Sequence, residues 1–359
     1  MPPKPHIWIR AEQRAQEKRV PVTPSGVRAL MEAGFHVTIE NSPARAIPLA
    51  DYAATGCEIA NTDEWINSPA STIILGLKEL NEDGPDLIHR HIMFGHAYKG
   101  QAEGPALLKR FKRGGGTLLD LEYLLDPSGR RVAAFGYWAG YAGAALGLKT
   151  WIAQQMPPFK GPASVGIYAD KTALINELRD DLNLVINGGK QRPNMITIGA
   201  LGRVGSGACD LAQTLDLPVT KWDMAETVSG GPFPEILAHD IFVNCILADA
   251  SVPVFVPKSA LSAPRKLSVI ADVSCDPNSP YNPIPIYDAS HSFADPMVRC
   301  HENPPLDVTA IDNLPSMLPV ESSEDYAQQL LPHLLTLGAL DSGVWAGATT
   351  TFNTHVQDI

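Results

Sequence analysis

The chain has 359 residues, a formal net charge of −11 and five cysteines with no close pair. This length predicts two domains, each with its own hydrophobic core. The scattered cysteines argue against a disulfide framework or a zinc knuckle and favour a reducing, cytoplasmic setting. No apolar stretch of signal-peptide length stands at the amino terminus, which argues against secretion.

The acidic excess lies entirely beyond residue 133. Residues 1–133 hold 16 Lys and Arg against 16 Asp and Glu, whereas residues 134–359 hold 12 against 23. A surface that binds nucleic acid needs a cationic cluster, so nucleic acid is not an expected partner. The charge-balanced first third can still bind a small anion.

Strands and helices alternate in the first third of the chain. The pattern predicts a strand at 7–10, a helix at 23–34 that Thr23 caps, and a strand at 35–40, which together form one βαβ unit. Three further buried strands are predicted at 71–79, 91–96 and 116–124, and a helix is predicted at 104–115.

An uncharged run of 17 residues, 132–148, approaches membrane-spanning length. Its glycine and alanine content and the lack of a second such run favour a buried helix, so no membrane partner is expected. Four glycines of this run mostly share one helix face, which predicts close approach of another helix or a ligand: Gly136, Gly140, Gly143 and Gly147.

A second alternating series follows a predicted helix at 171–187. Its four short apolar strands are predicted at 194–200, 219–224, 240–246 and 266–274. Such strands, separated by helices, indicate a parallel sheet that is covered on both faces.

The tail at 323–337 is a predicted helix, broken near Pro332, that packs back on the first domain. The predicted fold is α/β with two domains. The first comprises residues 1–133 plus 324–359, and the second comprises 134–323.

A cluster of glycines separates a predicted strand from a predicted helix of the second domain. Gly199, Gly202 and Gly205 fall three residues apart, and such a turn presents backbone N–H groups and a helix amino terminus to a pyrophosphate. Asp223 ends the next strand, where a carboxylate binds the adenosine ribose and repels a 2'-phosphate. The spacing is not the strict G-x-G-x-x-G, and a turn that serves only packing is the alternative. Strand, helix and acid together predict NAD as the cofactor.

Two ionisable side chains end predicted strands of the first domain. Lys78 closes the strand at 71–79 and His96 the strand at 91–96. The carboxyl ends of strands in an open α/β sheet face the ligand crevice, so both side chains can converge there as proton carriers. Composition and spacing alone favour the alternative of a surface lysine and a hydrogen-bonded core histidine.

Ten segments, in order and with similar gaps, resemble one known family. They are RAEQRAQEKRVPVTP, GLKEL, FGHAYKGQ, DLEYLLDPSGRRVAAFGYWAGYAGAALGL, GALGRVGSGA, KWDMAET, GGPF, DIFVNCI, NPIPIY and IDNLPSMLP. The resemblance is to the NAD-dependent, lysine-forming saccharopine dehydrogenases of fungi. It implies two Rossmann-like domains with an active-site cleft between them, a monomer, and conversion of saccharopine, NAD and water into lysine, 2-oxoglutarate and NADH.

The resemblance also implies residue roles. Lys78 is the implied proton acceptor and His96 serves the hydration and breakdown of the imine. The implied substrate-binding positions are Arg19, Gln101, Phe135, Arg131, Glu122 and Lys99. The implied cofactor contacts are Arg130, Gly202, Arg203, Asp223, Thr227, Val273, Ile311, Asp312, Asn313 and Leu314.

Several of these residues have a structural alternative. Arg130 and Arg131 follow the turn signal DPSG and fit a solvated pair, and Glu122 fits a structural ion-pair partner. His89 and His91 lack a third ligand signal, so we expect no metal and predict that both are partly exposed.

Three positions depart from the family pattern. Arg14 stands where fungal members have lysine, Ser229 where they have arginine, and Val204 where cysteine is frequent. The Arg14 change lies nearer the substrate region. Two alternatives therefore stay open: a related opine-type or alanine-dehydrogenase-like enzyme with another amine or oxo acid, and a nucleotide-binding regulator without catalysis.

Overall fold

The computed structural model describes residues 4–14, 16–357 and 359. The chain divides into two compact units, one formed by the residues up to Ala134 together with Pro319–Ile359, the other by Phe135–Leu318. The predicted domain limits, 133 and 324, lie one residue before and five residues after these junctions. Each unit holds one six-stranded sheet, and the α/β prediction is confirmed.

The helices in the described part of the chain are α1 (Pro24–Glu32), α2 (Leu49–Ala53), α3 (Gly104–Gly114), α4 (Gly136–Gln155), α5 (Lys171–Asn187), α6 (Arg203–Thr214), α7 (Met224–Thr227), α8 (Pro234–Leu237), α9 (Pro319–Leu334) and α10 (Gly343–Gln357). The strands are β1 (His6–Ile9), β2 (His36–Glu40), β3 (Glu58–Ala60), β4 (Ile73–Leu75), β5 (Arg90–Met93), β6 (Thr117–Asp120), β7 (Met195–Ile198), β8 (Val219–Trp222), β9 (Ile241–Asn244), β10 (Val269–Asp272), β11 (Val298–His301) and β12 (Leu306–Thr309).

The sheet of the first unit is parallel throughout, with the order β3-β2-β1-β4-β5-β6. The central strand β4 is a short run of buried aliphatic side chains, as a sheet covered on both faces requires. In the neighbouring β1, Ile7 and Ile9 are buried, and His6 and Trp8 are partly buried. The chain runs outward from β1 to β3 and then returns to add β4 on the other side of β1. This reversal is the topological switch point at which ligands of open α/β sheets bind.

Three strands of the first unit end earlier than predicted, at Leu75, Met93 and Asp120. The reason is clearest at β6, because the Asp120 carboxylate accepts a hydrogen bond from the Glu122 backbone N–H at 2.9 Å and begins a 3-10 turn. Glu122 therefore lies on a turn and not on the predicted strand.

The carboxyl-terminal segment packs against the first unit, as predicted, but its helix is longer. α9 begins at Pro319 and contains Pro332 in its last turn, so the predicted break at this residue is wrong. Leu330 and Leu334 on either side of Pro332 are fully buried, and their packing holds the turn. The sequence-based reading missed α2, α10 and β3.

His89 and His91 are buried, so the prediction of partial exposure is wrong. The His91 ring meets Trp65 and Phe111 edge to face, with centroids 5.0 and 5.4 Å away. The His89 Nε2 lies 3.0 Å from the Ser68 carbonyl oxygen. Phe111 belongs to α3, which covers this face of β5 and keeps water from the two rings.

The sheet of the second unit has the order β11-β12-β10-β9-β7-β8. All its neighbouring strands are parallel except β11, which runs antiparallel to β12 at one edge. The four predicted strands correspond to β7 to β10, and α5 has the predicted bounds. β11 and β12 were not predicted, and both are only four residues long.

The glycine-rich run forms α4, most of which is buried in the second unit. A Cβ built on Gly140 would overlap the Val204 carbonyl oxygen, and one on Gly207 would overlap the Tyr137 carbonyl oxygen. The bare backbones of α4 and α6 therefore touch, as the shared glycine face predicted. No helix in the described ranges is both long and apolar enough to cross a bilayer.

We expect Gly140→Ala to destabilise the protein by at least about 3 kcal/mol, because the added methyl group meets backbone that cannot rotate away. Urea unfolding of the full chain measures the change. Gly166→Ala is the matched control, since a Cβ there meets nothing within 4 Å. Equal stability of both variants would contradict the close packing of α4 and α6.

Candidate active site

Ionisable side chains follow four neighbouring strands of the first sheet, at the end of the sheet where the carboxyl ends of these strands lie. Lys78 lies three residues after β4 and His96 three residues after β5, while Arg19 follows β1 and Glu122 follows β6. Because these strands are parallel neighbours, their carboxyl ends meet at the switch point. The predicted convergence of Lys78 and His96 on one edge follows from this topology.

The loop that carries Lys78 is fixed through its backbone. The Glu12 carboxylate accepts hydrogen bonds from the Leu77 and Lys78 N–H groups at 2.7 and 2.9 Å. The Arg10 guanidinium, which is buried, donates to the Lys78 carbonyl oxygen. The backbone of Lys78 is therefore held in a defined position.

A buried ion pair stands beside the Lys78 amine. Arg19 donates through Nε and Nη2 to the two oxygens of Glu17, at 2.8 and 2.6 Å, and both side chains are 3% exposed or less. Burial of Glu17 opposes its ionisation, but the hydrogen bonds and charge of Arg19 lower the pKa of this carboxyl. Burial and the Arg19 charge lower the pKa of Lys78, against the opposing charges of Glu17 and Glu79.

A second carboxylate, Glu79, holds His96 and Arg14. Its Oε2 lies 3.3 Å from His96 Nδ1, and its Oε1 accepts from the Arg14 guanidinium. Burial of Glu79 acts to raise its pKa, but the interaction with the neighbouring His96 ring and the Arg14 charge bring the pKa to about 2. His96 has φ of 47°, a left-handed conformation that costs about 1–3 kcal/mol and recurs at functional sites.

Arg14, Glu79, His96 and Gln101 line a cavity of about 360 Å³. The Gln101 side-chain oxygen accepts a hydrogen bond from the Lys99 N–H at 2.8 Å, which holds the loop after His96. The cavity is large enough for an amino-acid side chain and is bordered by both acidic and basic groups.

Glu122 is the ion-pair partner of two cations. One of its oxygens accepts from Lys99 Nζ at 2.7 Å and from the Arg131 guanidinium at 2.6 Å. Both cations are about half exposed. Burial alone would raise the pKa of Glu122, but Lys99 and Arg131 lower it.

Asp120 joins the loops that carry His96 and Glu122. Its buried carboxylate accepts the Gly95 and Glu122 backbone N–H groups, at 3.2 and 2.9 Å. Burial raises its pKa to about 6, although those two hydrogen bonds oppose the change. Sequence reasoning missed Glu12, Glu17, Glu79 and Asp120, although each lies close in sequence to a residue that it did single out.

The glycine loop of the second unit has an open backbone. Gly199 has φ of 83°, and a Cβ on it or on Gly205 would overlap neighbouring atoms, whereas a Cβ on Gly202 meets only one atom, at 3.4 Å. Gly202 precedes α6, whose first turn carries no side-chain cap. The helix amino terminus therefore fits a pyrophosphate.

Asp223 directly follows β8 and caps α7 beside this loop. One carboxylate oxygen accepts the Leu201 N–H at 3.0 Å and the other accepts the Met224 N–H at 2.9 Å. Asp223 thus ties the glycine loop to the start of α7, a structural role that sequence reasoning did not foresee.

The remaining predicted cofactor positions divide by exposure. The side chains of Ile311 and Leu314 are core residues, and Thr227 is buried with its hydroxyl on the Asp223 carbonyl. Val273 packs against Gly143. Asn313 is partly buried, and the side chains of Arg203, Asp312 and Ser229 are exposed. Arg130 lies on the predicted turn, where its N–H bonds the Asp126 carboxylate at 3.0 Å. Phe135 is the first residue of the second unit.

Two mainly parallel sheets, with ionisable groups at the switch point of one and a glycine loop in the other, form the fold of a Rossmann-like, two-domain dehydrogenase. A family model described as the alanine dehydrogenase/PNT N-terminal domain matches residues 8–142. A solved L-alanine dehydrogenase has the same fold, with a TM-score of 0.68 and 18% identity over 97% of this chain and 93% of that one.

Closer relatives identify the family. The chain is 43% identical to the NAD(+)-dependent, L-lysine-forming saccharopine dehydrogenase of Yarrowia lipolytica, over 98% of both chains. It is 42% identical to the enzyme of that name from Schizosaccharomyces pombe, over 99% of both. The chain belongs to the family of NAD-dependent, L-lysine-forming saccharopine dehydrogenases, and the predicted family and cofactor are confirmed.

The arrangement around Lys78 predicts a measurable shift. We expect Glu17→Gln to lower the pKa of Lys78 further, because the variant keeps the Arg19 charge and loses the opposing carboxylate. NMR titration of ¹³C-methylated lysines measures this, with the Lys78 signal assigned by its loss in Lys78→Arg. Glu32→Gln, at an exposed site in α1, is the control. An unchanged or raised pKa of Lys78 would contradict the effect assigned to the Glu17 carboxylate.

A second prediction concerns Asp223. We expect Asp223→Asn to shift the ratio of NAD to NADP affinity toward NADP by at least about tenfold, because a negative charge facing the 2'-phosphate is removed. Isothermal titration calorimetry with NAD and with NADP measures the two affinities and so their ratio. Glu235→Gln, which neutralises an exposed carboxylate of the same unit, should leave it unchanged. A ratio that stays constant in Asp223→Asn would place the ribose elsewhere.

Proposed function

We propose that this protein cleaves saccharopine oxidatively, with NAD and water, to L-lysine and 2-oxoglutarate. Identity of 42–44% over nearly the whole chain to six enzymes that carry this name is the main support. Lys78, with its lowered pKa, stands among paired charges at the switch point and fits a base that acts on an amine.

Lys78 is the proposed proton acceptor. It takes the N–H proton of the secondary amine while the neighbouring carbon loses its hydride and a C=N bond forms. NAD, when bound, accepts that hydride. A lysine whose pKa is lowered by burial and by Arg19 holds a larger neutral fraction near neutral pH, as a general base requires.

His96 is proposed to act on water. It accepts a proton as water adds to the C=N carbon and passes this proton to the nitrogen. It then takes the hydroxyl proton of the adduct as the C=O bond forms, and this second proton goes to the nitrogen when the C–N bond breaks and lysine leaves. The Glu79 carboxylate lies 3.3 Å from His96 Nδ1, which leaves Nε2 to face the reacting groups. Glu79 thus positions the ring.

The substrate carries three carboxylates, and the edge offers cations for them. Guanidinium groups bind carboxylates with two parallel hydrogen bonds, and we assign this role to Arg19 and Arg131. Lys99 and Gln101 are proposed to complete the pocket with Phe135. Glu122 holds Lys99 and Arg131 in place and is available to a substrate ammonium.

NAD is proposed to bind the second unit through the glycine loop. Gly202 and Arg203 face the pyrophosphate and Asp223 faces the ribose. Leu201, Met224 and Val228 are 76–83% exposed, and they suit an adenine ring. Met224 and Val228 follow Asp223 in sequence, and the Leu201 N–H donates to its carboxylate. The further contacts proposed are Arg130, Thr227, Val273, Ile311, Asp312, Asn313 and Leu314. For the core residues Ile311 and Leu314, these are backbone contacts.

The setting proposed for this reaction is the cytoplasm, and the active form is a monomer. All five cysteines are free thiols, as a reducing compartment allows.

The direct test mixes the protein with L-lysine, 2-oxoglutarate and NADH and follows the nicotinamide absorbance. We expect oxidation of NADH that needs both lysine and the oxo acid. Turnover only with another amine, or only with pyruvate or glyoxylate, would move the substrate to a related opine-type or alanine-dehydrogenase-like reaction. Nucleotide binding without any turnover would favour a regulator and overturn the proposal.

We expect Lys78→Met to lower kcat by at least about 10²-fold, the usual contribution of a general base, with NAD affinity unchanged. Steady-state rates and nucleotide titration measure the two effects. Lys109→Met, at an exposed position of α3, is the control and should retain activity. Full activity of Lys78→Met would remove Lys78 from the chemistry.

A further inference from the structure

A cluster of His6, His36 and Glu58 lies at the opposite end of the first sheet from Lys78. Each of the three residues is the first of its strand, in β1, β2 and β3. His6 stands in register with His36 across β1 and β2. The amino ends of these strands thus present two imidazoles and one carboxylate on adjacent strands, and the proposed reaction uses none of them.

The polar atoms of the cluster converge. The two rings stack with centroids 4.1 Å apart. His36 Nε2 lies 3.1 Å from Glu58 Oε2, which also accepts from the Thr38 hydroxyl at 3.0 Å. That hydroxyl lies 2.8 Å from His6 Nε2. One donor atom from each of His6, His36 and Glu58 falls within 4.8 Å of the other two.

Two imidazoles and a carboxylate are the ligands that first-row divalent metals prefer. Zinc–ligand bonds of about 2.0–2.2 Å in tetrahedral geometry need donor atoms about 3.3 Å apart. The side chains of His36 and Glu58 are 60% and 57% exposed, so small rotations can close the remaining gap. Burial and the neighbouring His36 lower the pKa of His6, which favours the neutral ring that a metal requires.

An ion pair between His36 and Glu58 with stacked rings explains the contacts without a metal. That ion pair joins only two of the three converging donor atoms, however, and does not explain why His6 converges with them. The strands themselves, and not flexible loops, fix the Cα positions of all three residues. A site held by a sheet loses little entropy when the ion binds.

We propose that His6, His36 and Glu58 bind one divalent transition-metal ion of the zinc type, with water completing the coordination. The ion connects β1, β2 and β3 at the amino-terminal ends of these strands. Because it binds the folded protein, it stabilises the first unit by RT ln(1 + c/Kd), where c is the free metal concentration and Kd its dissociation constant.

The test titrates zinc into the metal-free full-length protein, with a chromophoric chelator as competitor and thermal unfolding as a second readout. We expect one ion per chain at this site and a rise in the unfolding midpoint. His36→Ala and Glu58→Gln should each weaken binding by at least about tenfold, since even loss of an outer partner costs about 10–100-fold. Both changes are at exposed side chains, and circular dichroism verifies the fold.

His333→Ala removes a histidine elsewhere in the same unit and should leave binding unchanged. The five free thiols can also take zinc, so binding lost in His36→Ala, and not total binding, is the quantity that decides. Equal zinc affinity in the parent, His36→Ala and Glu58→Gln would overturn the proposal. The same holds if zinc leaves the unfolding midpoint of the parent unchanged.

Discussion

The buried ion pair between Glu17 and Arg19 is the interaction on which the candidate site depends. Both charges lie almost out of water, where an ion remains only if its partner is well placed; removing one partner of such a pair typically costs about 3–5 kcal/mol. Their two hydrogen bonds and mutual attraction keep a guanidinium charge beside Lys78. That charge, with burial, disfavours the lysine cation. Stability and reactivity at this edge therefore share one cause.

A related arrangement recurs around the site, since two further carboxylates each contact two basic side chains. Glu79 holds Arg14 and His96, and Glu122 holds Lys99 and Arg131. Leaving Lys78 aside, five Lys and Arg side chains at this end of the sheet match five carboxylates: Arg10, Arg14, Arg19, Lys99 and Arg131 against Glu12, Glu17, Glu79, Asp120 and Glu122. The site is thus built from closely matched charges, in a part of the chain whose overall charge is balanced.

The sequence predicted those features that depend on local pattern. α5 has its predicted bounds, and the glycines of α4 touch α6 because a missing Cβ is visible in the sequence. Lys78 and His96 were placed on one edge from strand ends alone. α10 had a usable signal that was not read: Trp345, Ala348 and Phe352, at helical spacing, are its buried residues.

Other features depend on contacts between distant residues. No local sequence pattern indicates that Glu12 binds the backbone of Lys78, 66 residues away, or that Asp120 joins two loops. The burial of His91 follows from Trp65 and Phe111, which lie on other elements. β12, with four residues, is too short to show a period, although it occupies an inner position of its sheet.

The central claim is that an uncharged Lys78 amine receives the proton of the substrate amine. A crystal structure of the protein with NAD and saccharopine tests it most directly. The account predicts the Lys78 nitrogen at about 3 Å from the secondary amine, a hydrogen-bonding distance, with the Glu17–Arg19 pair intact beside it. A substrate amine bound by other groups, with Lys78 turned toward solvent, would contradict it.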